Sequence, residues 1–544
     1  KIFDITLIMN LNPVKTNSDI DILIIVPPLV DYDSEVDRKA GKPDFENRRL
    51  ISPIDPTTVS SILLKQNISV KIFDMGIFTD SKSRKVETIN CIEKIKPKYL
   101  AIVQSLLTFA TASDFDGKFI FDWVKTNLPD TISILTGSHA TNYPGRAVEQ
   151  GTCDYSLKGE IDFTLPKLIN NLKNNLEIEN IDGLSYIINK KIFNNTNYPK
   201  VDIKDLPLPA YHLLDEKHVK GYEQTVERGK IRYPEKSRKY RCIMTSRSCI
   251  LRCSFCSVAH FRGSKNPYRR KTSEMIVDEI EQALSQGIKE IHFFDDLFAR
   301  SKEEIIEMCE IISKRNIKFD WFVSQGLNLW FLDYDTISAM VENGMYRLIA
   351  PFESGSNRVL KEVVGKVYST VEQHHKIVEW SHKLNLQLIG MFVVGMPGEK
   401  RSEILDTLKF AEDHPQIDYN VFSIATPMIG TKLTKKLVSK GVIEDEEKVN
   451  KIIKRTVGLY RTDEFSELDL GLIRSYDWDR INFSSQNKRD KYCKMVGINN
   501  NELDQMRKHS IDTFRRFFSN YNGPKSFKEI YSEKELSRMY SPAI

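Results

Sequence analysis

Between residues 19 and 165 short apolar runs alternate with longer amphipathic stretches. "DILIIVPP" (21–28), "SVKIFDMG" (69–76), "YLAIVQSL" (99–106) and "TISILTGSH" (131–139) read as buried strands, while "PTTVSSILLKQ" (56–66) and "FDGKFIFDWVKTNL" (115–128) read as helices. Strands separated by helix-length segments predict a parallel, doubly wound α/β sheet. In such sheets ligands lie beyond the carboxyl ends of the strands, near the switch in strand order. The residues that follow the strands are therefore the candidates for binding: Pro27, Pro28, Ser105, Gly137, Ser138 and His139.

A second alternation runs from 241 to 435. Its strands are "RCIMTSR", "EIHFFDD", "FDWFVSQ", "MYRLIAPFE", "LQLIGMFVVG" and "DYNVFSIAT", separated by helices such as "SEMIVDEIEQALSQG" and "TVEQHHKIVEWSHKLN". About six βα units predict a partial (β/α)6 barrel of the TIM type, with its chemistry at the carboxyl ends of the strands. Four regions follow: a Rossmann-like domain over 1–165, a linker with a short helix and a hairpin ("GLSYIINKKIFNN") over 166–240, the barrel over 241–435, and a mainly helical region over 436–544.

The longest apolar runs, "ILIIVPPLV" and "LIGMFVVGM", are about half the length needed to cross a bilayer. The start of the sequence has no secretory-signal pattern, so a cytoplasmic protein is expected. The net charge of +5 on 544 residues argues against a wholesale nucleic-acid binder. Eight cysteines in this length are no disulfide framework. Three of them, however, fall within "TSRSCILRCSFCSVAHFRG" (245–263): Cys249, Cys253 and Cys256, spaced C-x3-C-x2-C, with Phe255 before the last.

Clustered thiolates bind metal. A closed iron–sulfur cubane takes four cysteines, so three local ones would leave one iron open to a small molecule. The alternative is a structural zinc knuckle completed by Cys242 or a distant histidine, although no second C-x2-C knuckle is present.

The C-x3-C-x2-C motif, placed after the first strand of a partial barrel, resembles the radical S-adenosylmethionine (SAM) superfamily. "PFESGSNRVL" (351–360) is similar to that family's SAM-contacting ESGS segment and nominates Glu353, Ser354 and Ser356. "GMFVVGMPGE" (390–399) is similar to its later GxPGE segment and nominates Val394, Gly395 and Met396. The first region resembles the cobalamin (B12)-binding domain that precedes many radical SAM modules. The resemblance rests on "VPP" (26–28), "SPIDPTTVSSILLKQNISVKIFD" (52–74), "TGSHATNYP" (136–144) and "CDYSLKGEID" (153–162), the last adding Gly159 and Glu160. "DMGIFT" (74–79) lacks the histidine that binds cobalt in methionine-synthase-type domains, and His139 stands in a different loop and is not read as an axial ligand.

The resemblance implies a [4Fe-4S] cluster on Cys249, Cys253 and Cys256, SAM, cobalamin, and an external electron donor of flavodoxin or ferredoxin type. It implies a methyltransferase that moves a methyl group from SAM, through methylcobalamin, to an unactivated carbon of a small molecule. Two other readings stay open: a non-methylating rearrangement or cyclisation with the same cofactors, and a metal-stabilised binding protein without catalysis. From Arg228 to Lys271 there are fourteen Lys and Arg residues and one acid, Glu235. Such a run admits an anionic substrate or an ordinary solvated basic loop. Asp295 and Asp296 end a barrel strand and suit either a ligand contact or a cap. "WDRINF" (478–483) suits either packing or closure of the site.

Overall fold

The structure is a computed structural model that describes residues 20–27, 52–78, 81–104, 117–220, 236–237, 239–449 and 458–531. The first alternation forms a sheet of β1 (Ile22–Val26), β2 (Val70–Asp74), β3 (Tyr99–Val103), β4 (Ile132–Thr136), β5 (Tyr155–Leu157), β6 (Leu184–Ile188) and β7 (Lys191–Asn194). Its order is β2-β1-β3-β4-β5-β6-β7. β1 to β5 are parallel, and the order reverses at β1, which pairs with both β2 and β3. Successive side chains of a strand face opposite ways. Ile22 and Ile24 accordingly enter a core with Val59 and Leu168, whereas Leu23 and Ile25 enter one with Ile92 and Phe121. Helices Ile54–Lys65 and Thr164–Lys173 cover the first face, and Ser81–Ile95 and Lys118–Asn127 the second.

The hairpin expected between 166 and 240 is present, and it extends the first sheet. β6 pairs antiparallel with β5, and β7 with β6. Its two-residue turn, Asn189 and Lys190, has positive φ at both positions, the conformation that matches the twist of hairpin strands. The proline-punctuated segment that follows is stitched to both halves of the molecule. The Ala210 N–H donates to Thr57 O at 3.0 Å, Ser61 Oγ donates to Leu208 O at 2.8 Å, and Tyr211 OH donates to Glu279 Oε1 at 2.5 Å.

The second alternation begins with β8 (Tyr240–Ile243), followed by a small antiparallel pair, β9 (Ser246–Arg247) and β10 (Arg269–Arg270). It continues through β11 (Glu290–Phe293), β12 (Asp320–Val323), β13 (Met345–Glu353), β14 (Gln387–Val394) and β15 (Tyr419–Ile424). β8 and β11 to β15 form one all-parallel sheet in sequential order, open at β8 and β15. Three of its helices start where small polar side chains cap them: Thr272, Asp333 and Thr370 accept the Met275, Thr336 and Gln373 N–H groups. Ile54 of the first domain packs with Tyr240, Cys242, Met244 and Phe294 of the barrel.

The region after 458 is helical. Its Trp478–Phe483 helix lies on β15, where Asn482 donates to Asn420 O at 3.0 Å and accepts the Asn420 N–H at 2.7 Å. "WDRINF" therefore covers a sheet edge. Among the described residues no helix is long and apolar enough to cross a membrane.

Candidate active site

The loop carrying the three cysteines leaves β9 and is held from below by two carboxylates after β11. Asp295 Oδ1 accepts the Thr245 and Ser246 N–H groups at 2.6 and 2.7 Å. Asp296 accepts the Ser248 N–H and the Arg262 Nε–H, each at 2.9 Å. Ser248, directly before Cys249, has a φ of +66°, a strained value for a non-glycine residue that the Asp296 contact helps to hold. Asp295 and Asp296 thus brace the loop. Burial pushes the Asp295 carboxyl up to about 7.

From the other side the loop meets the segment after β13. Residues Val359–Val364 wind into a π-helical turn, which the sequence pattern did not signal. Ser254 donates its N–H to Val364 O at 2.8 Å and its hydroxyl to Val363 O at 2.7 Å, and its own carbonyl accepts the Leu433 N–H at 2.8 Å. Gly365 (φ +89°) ends the turn close to Arg252 O and the Cys253 Cα. Lys366 is buried there, with Nζ 2.8 Å from Glu353 Oε1 and 3.1 Å from Pro351 O. Against the downward push of burial, Glu353 and Cys253 hold the Lys366 ammonium above its usual range.

Cys249, Cys253 and Cys256 are half-buried. Burial pushes the Cys249 and Cys256 thiols up to about 12, and raises that of Cys253 against the opposing effect of Lys366. Neighbouring thiols contribute to the shifts of Cys249 and Cys256, so the three sense one another. They do not converge as ligands of a single ion: among the described residues no group of three or more His, Cys, Asp or Glu side chains does. Cys242, the candidate fourth ligand of a zinc knuckle, lies fully buried in an apolar cluster. Phe255 packs against the barrel core.

The other nominated residues divide. Glu353 (φ +61°) ends β13 and turns to Lys366. Ser354 and Ser356 instead bond the helix Arg401–Asp413: Ser354 Oγ to Thr407 Oγ1 at 3.1 Å, and Ser356 Oγ to Glu403 Oε1 at 3.1 Å. Val394 and Met396 are buried. Glu399 Oε2 accepts the Gly395 and Met396 N–H groups at 2.7 and 3.0 Å, which fixes the turn after β14. Burial pushes the Glu399 carboxyl up to about 8.

On the first sheet Pro27 is half-buried after β1; Pro28 and Ser105 lie outside the described residues. Gly137 (φ +87°) passes so close to β3 that a Cβ would stand 1.8 Å from Gln104 O. Gln104 Oε1 accepts the His139 N–H at 3.0 Å and lies 3.4 Å from Ser138 Oγ. Gly159 donates its N–H to Thr141 Oγ1 at 2.9 Å.

This end of the sheet faces the cysteine loop. Asn142 Oδ1 is 3.0 Å from the Nε2 of His260, four residues beyond Cys256, and Tyr198 OH donates to His260 O. Glu160 and Asp162 are fully buried against barrel arginines. Glu160 holds Arg269 at 2.7 and 2.9 Å, and Asp162 holds Arg247 at 2.5 and 2.9 Å. Part of the basic run is thus paired inside the protein, six of its fourteen cations having a carboxylate partner. Lys236, Arg247, Arg262, Arg269, Arg270 and Lys271 each have a carboxylate partner. His260, Lys366 and Asp162 were not singled out from the sequence, although Asp162 closes the "CDYSLKGEID" stretch and His260 lies in the cysteine stretch.

The Radical SAM superfamily profile matches residues 243–411. An uncharacterised methyltransferase of Pyrococcus horikoshii is 28% identical over 425 residues, covering 78% of this chain and 84% of that protein. Cytidylyl-2-hydroxyethylphosphonate methyltransferase of Streptomyces wedmorensis is 24% identical over 386 residues, covering 64% of this chain and 70% of that protein. Two solved structures share the architecture. The radical SAM methyltransferase TsrM from Kitasatospora setae, with cobalamin and a [4Fe-4S] cluster bound, superposes with a TM-score of 0.58 at 16% identity, over 77% of this chain and 75% of that one. The cobalamin-dependent SAM radical enzyme OxsB, with aqua-cobalamin bound, gives 0.61 at 18% identity, over 96% and 76%. Residues 243–411 thus form a Radical SAM domain, and the two relatives named are methyltransferases. The fold of the chain is that of these cobalamin-dependent members.

Proposed function

We propose that this chain is a cobalamin-dependent methyltransferase that transfers a methyl group from SAM to an unactivated carbon of a small molecule. The observation that carries the reading is the C-x3-C-x2-C loop, seated at the carboxyl end of the first barrel strand and facing the strand ends of the first sheet across Asn142 and His260. The donor set suits a cluster. Three thiols on one loop would supply three of a cubane's four protein ligands and leave one iron without one. On the first sheet, Gly137 lets the turn after β4 pass against Gln104 beyond the end of β3, and in this reading cobalamin lies at the carboxyl ends of the parallel strands. Cys249, Cys253 and Cys256 would hold the cluster, which would supply the electron for SAM cleavage, and a cobalamin at the strand ends of the first sheet would supply methyl-carrying chemistry.

The chain's own residues hold and shield. Asp296 and Ser254 fix the loop of Cys249, Cys253 and Cys256, the cluster ligands in this reading. Glu353 and Gly395 to Met396 line the SAM side, with Lys366 and Glu399 holding them in place. An electron donor of flavodoxin or ferredoxin type supplies the reductant.

Anaerobic reconstitution tests the reading. Uptake of iron and sulfide, release of 5′-deoxyadenosine from SAM, retention of cobalamin and a product heavier by one methyl group are expected. No iron and sulfide uptake would sink the enzyme reading. Radical formation with no gain of a methyl group would point to a rearrangement or cyclisation instead.

A further inference from the structure

Four carboxylates and three guanidinium groups form a buried network where the two domains meet. Asp55, Glu160 and Asp162 come from the first domain and Asp296 from the barrel; Arg247, Arg262 and Arg269 also come from the barrel. All but Arg269 are at most 9% exposed at the side chain, and Arg269 is 11% exposed. Ion pairs this deep are costly unless every charge is matched. One path through the network ends at the cysteines. Glu160 Oε1 lies 3.5 Å from Arg262 Nη1, Arg262 Nε donates to Asp296 at 2.9 Å, and Asp296 accepts the N–H of Ser248, the residue before Cys249.

We infer that Glu160 is a positioning residue for the cysteine loop, acting through Arg262 and Asp296, so that docking of the first domain sets both the geometry and the reduction potential of the cluster. The inference rests on the reading of Cys249, Cys253 and Cys256 as cluster ligands. Reducing a cluster adds negative charge. A carboxylate removed from the network therefore favours the reduced form, and a guanidinium removed disfavours it.

The test is a midpoint-potential titration and a low-temperature EPR spectrum of the reconstituted full-length protein. Glu160→Gln is expected to move the potential upward and Arg262→Gln to move it downward, each with altered EPR line shape. Tyr211→Phe breaks another joint between the linker and the barrel, at Glu279, and is expected to leave both readouts at the wild-type values. If Arg262→Gln fails to fold, Glu160→Asp, which keeps the charge, takes its place and must lie nearer the wild type than Glu160→Gln. Shifts of one sign in Glu160→Gln and Arg262→Gln, an equal shift in Tyr211→Phe, or no shift in Glu160→Gln would overturn the inference. A wild-type protein that assembles no cluster would instead overturn the reading beneath it.

Discussion

Lys366 Nζ and Glu353 Oε1 stand 2.8 Å apart, both nearly out of solvent, at the point where the end of β13 meets the cysteine loop. Removing one partner of a buried pair leaves the other charge uncompensated. Glu353→Gln is expected to lower stability by about 3–5 kcal/mol, read by chemical denaturation. The double change Glu353→Gln with Lys366→Met is expected to recover much of that loss. A single variant as stable as the wild type would show that the pair holds nothing.

Cys253 sits half-buried on a loop whose backbone is fixed through Ser254 and Asp296. Cys253→Ser is therefore expected to change the melting free energy by about 1 kcal/mol or less, while iron and sulfide uptake and 5′-deoxyadenosine formation fall to background. Iron and sulfide analysis beside a thermal melt separates the two effects.

Glu399 gives a pH dependence with a definite sign. Its carboxyl is raised from the ordinary value of 4.5 to about 8 by burial, so the folded protein keeps a proton that the unfolded chain releases. Stability is then lost as pH rises between those two values. Glu399→Gln has no proton to lose and is expected to flatten that slope. Denaturation midpoints at pH 5 and pH 8 for both proteins check it.

Gly137→Ala places a methyl group 1.8 Å from Gln104 O at a φ of +87°. A cost above about 1 kcal/mol is expected, together with loss of cobalamin retention, because the β4 turn must shift away from β3. Equilibrium unfolding and the cobalamin absorbance after gel filtration measure the two.

Much of this arrangement can be read from local pattern. A continuous apolar run, buried on both faces, marks β1, and a strand followed by three cysteines marks the loop. Pairings between distant residues cannot be read that way. Glu160 and Arg269 are 109 residues apart, and Asp162 and Arg247 are 85 apart. A charge count over Arg228 to Lys271 sees a basic run because its carboxylate partners lie outside that stretch, in the first domain for Arg247 and Arg269 and later in the barrel for Lys236, Arg262, Arg270 and Lys271. Ser354 and Ser356 matched a SAM-contacting motif, yet a motif does not say where a hydroxyl turns, and here helix Arg401–Asp413 takes both. The hairpin was legible as a hairpin. Its place beside β5 depends on sheet order, which no short stretch encodes.

The connector between the domains has a mechanical consequence. Its Tyr198 hydroxyl bonds the His260 carbonyl beside the cysteines, its Val201 carbonyl accepts from Arg269, and further along Tyr211 grips Glu279. A segment anchored at three points along the barrel cannot serve as a hinge. Parting the two halves would require breaking all three anchors together.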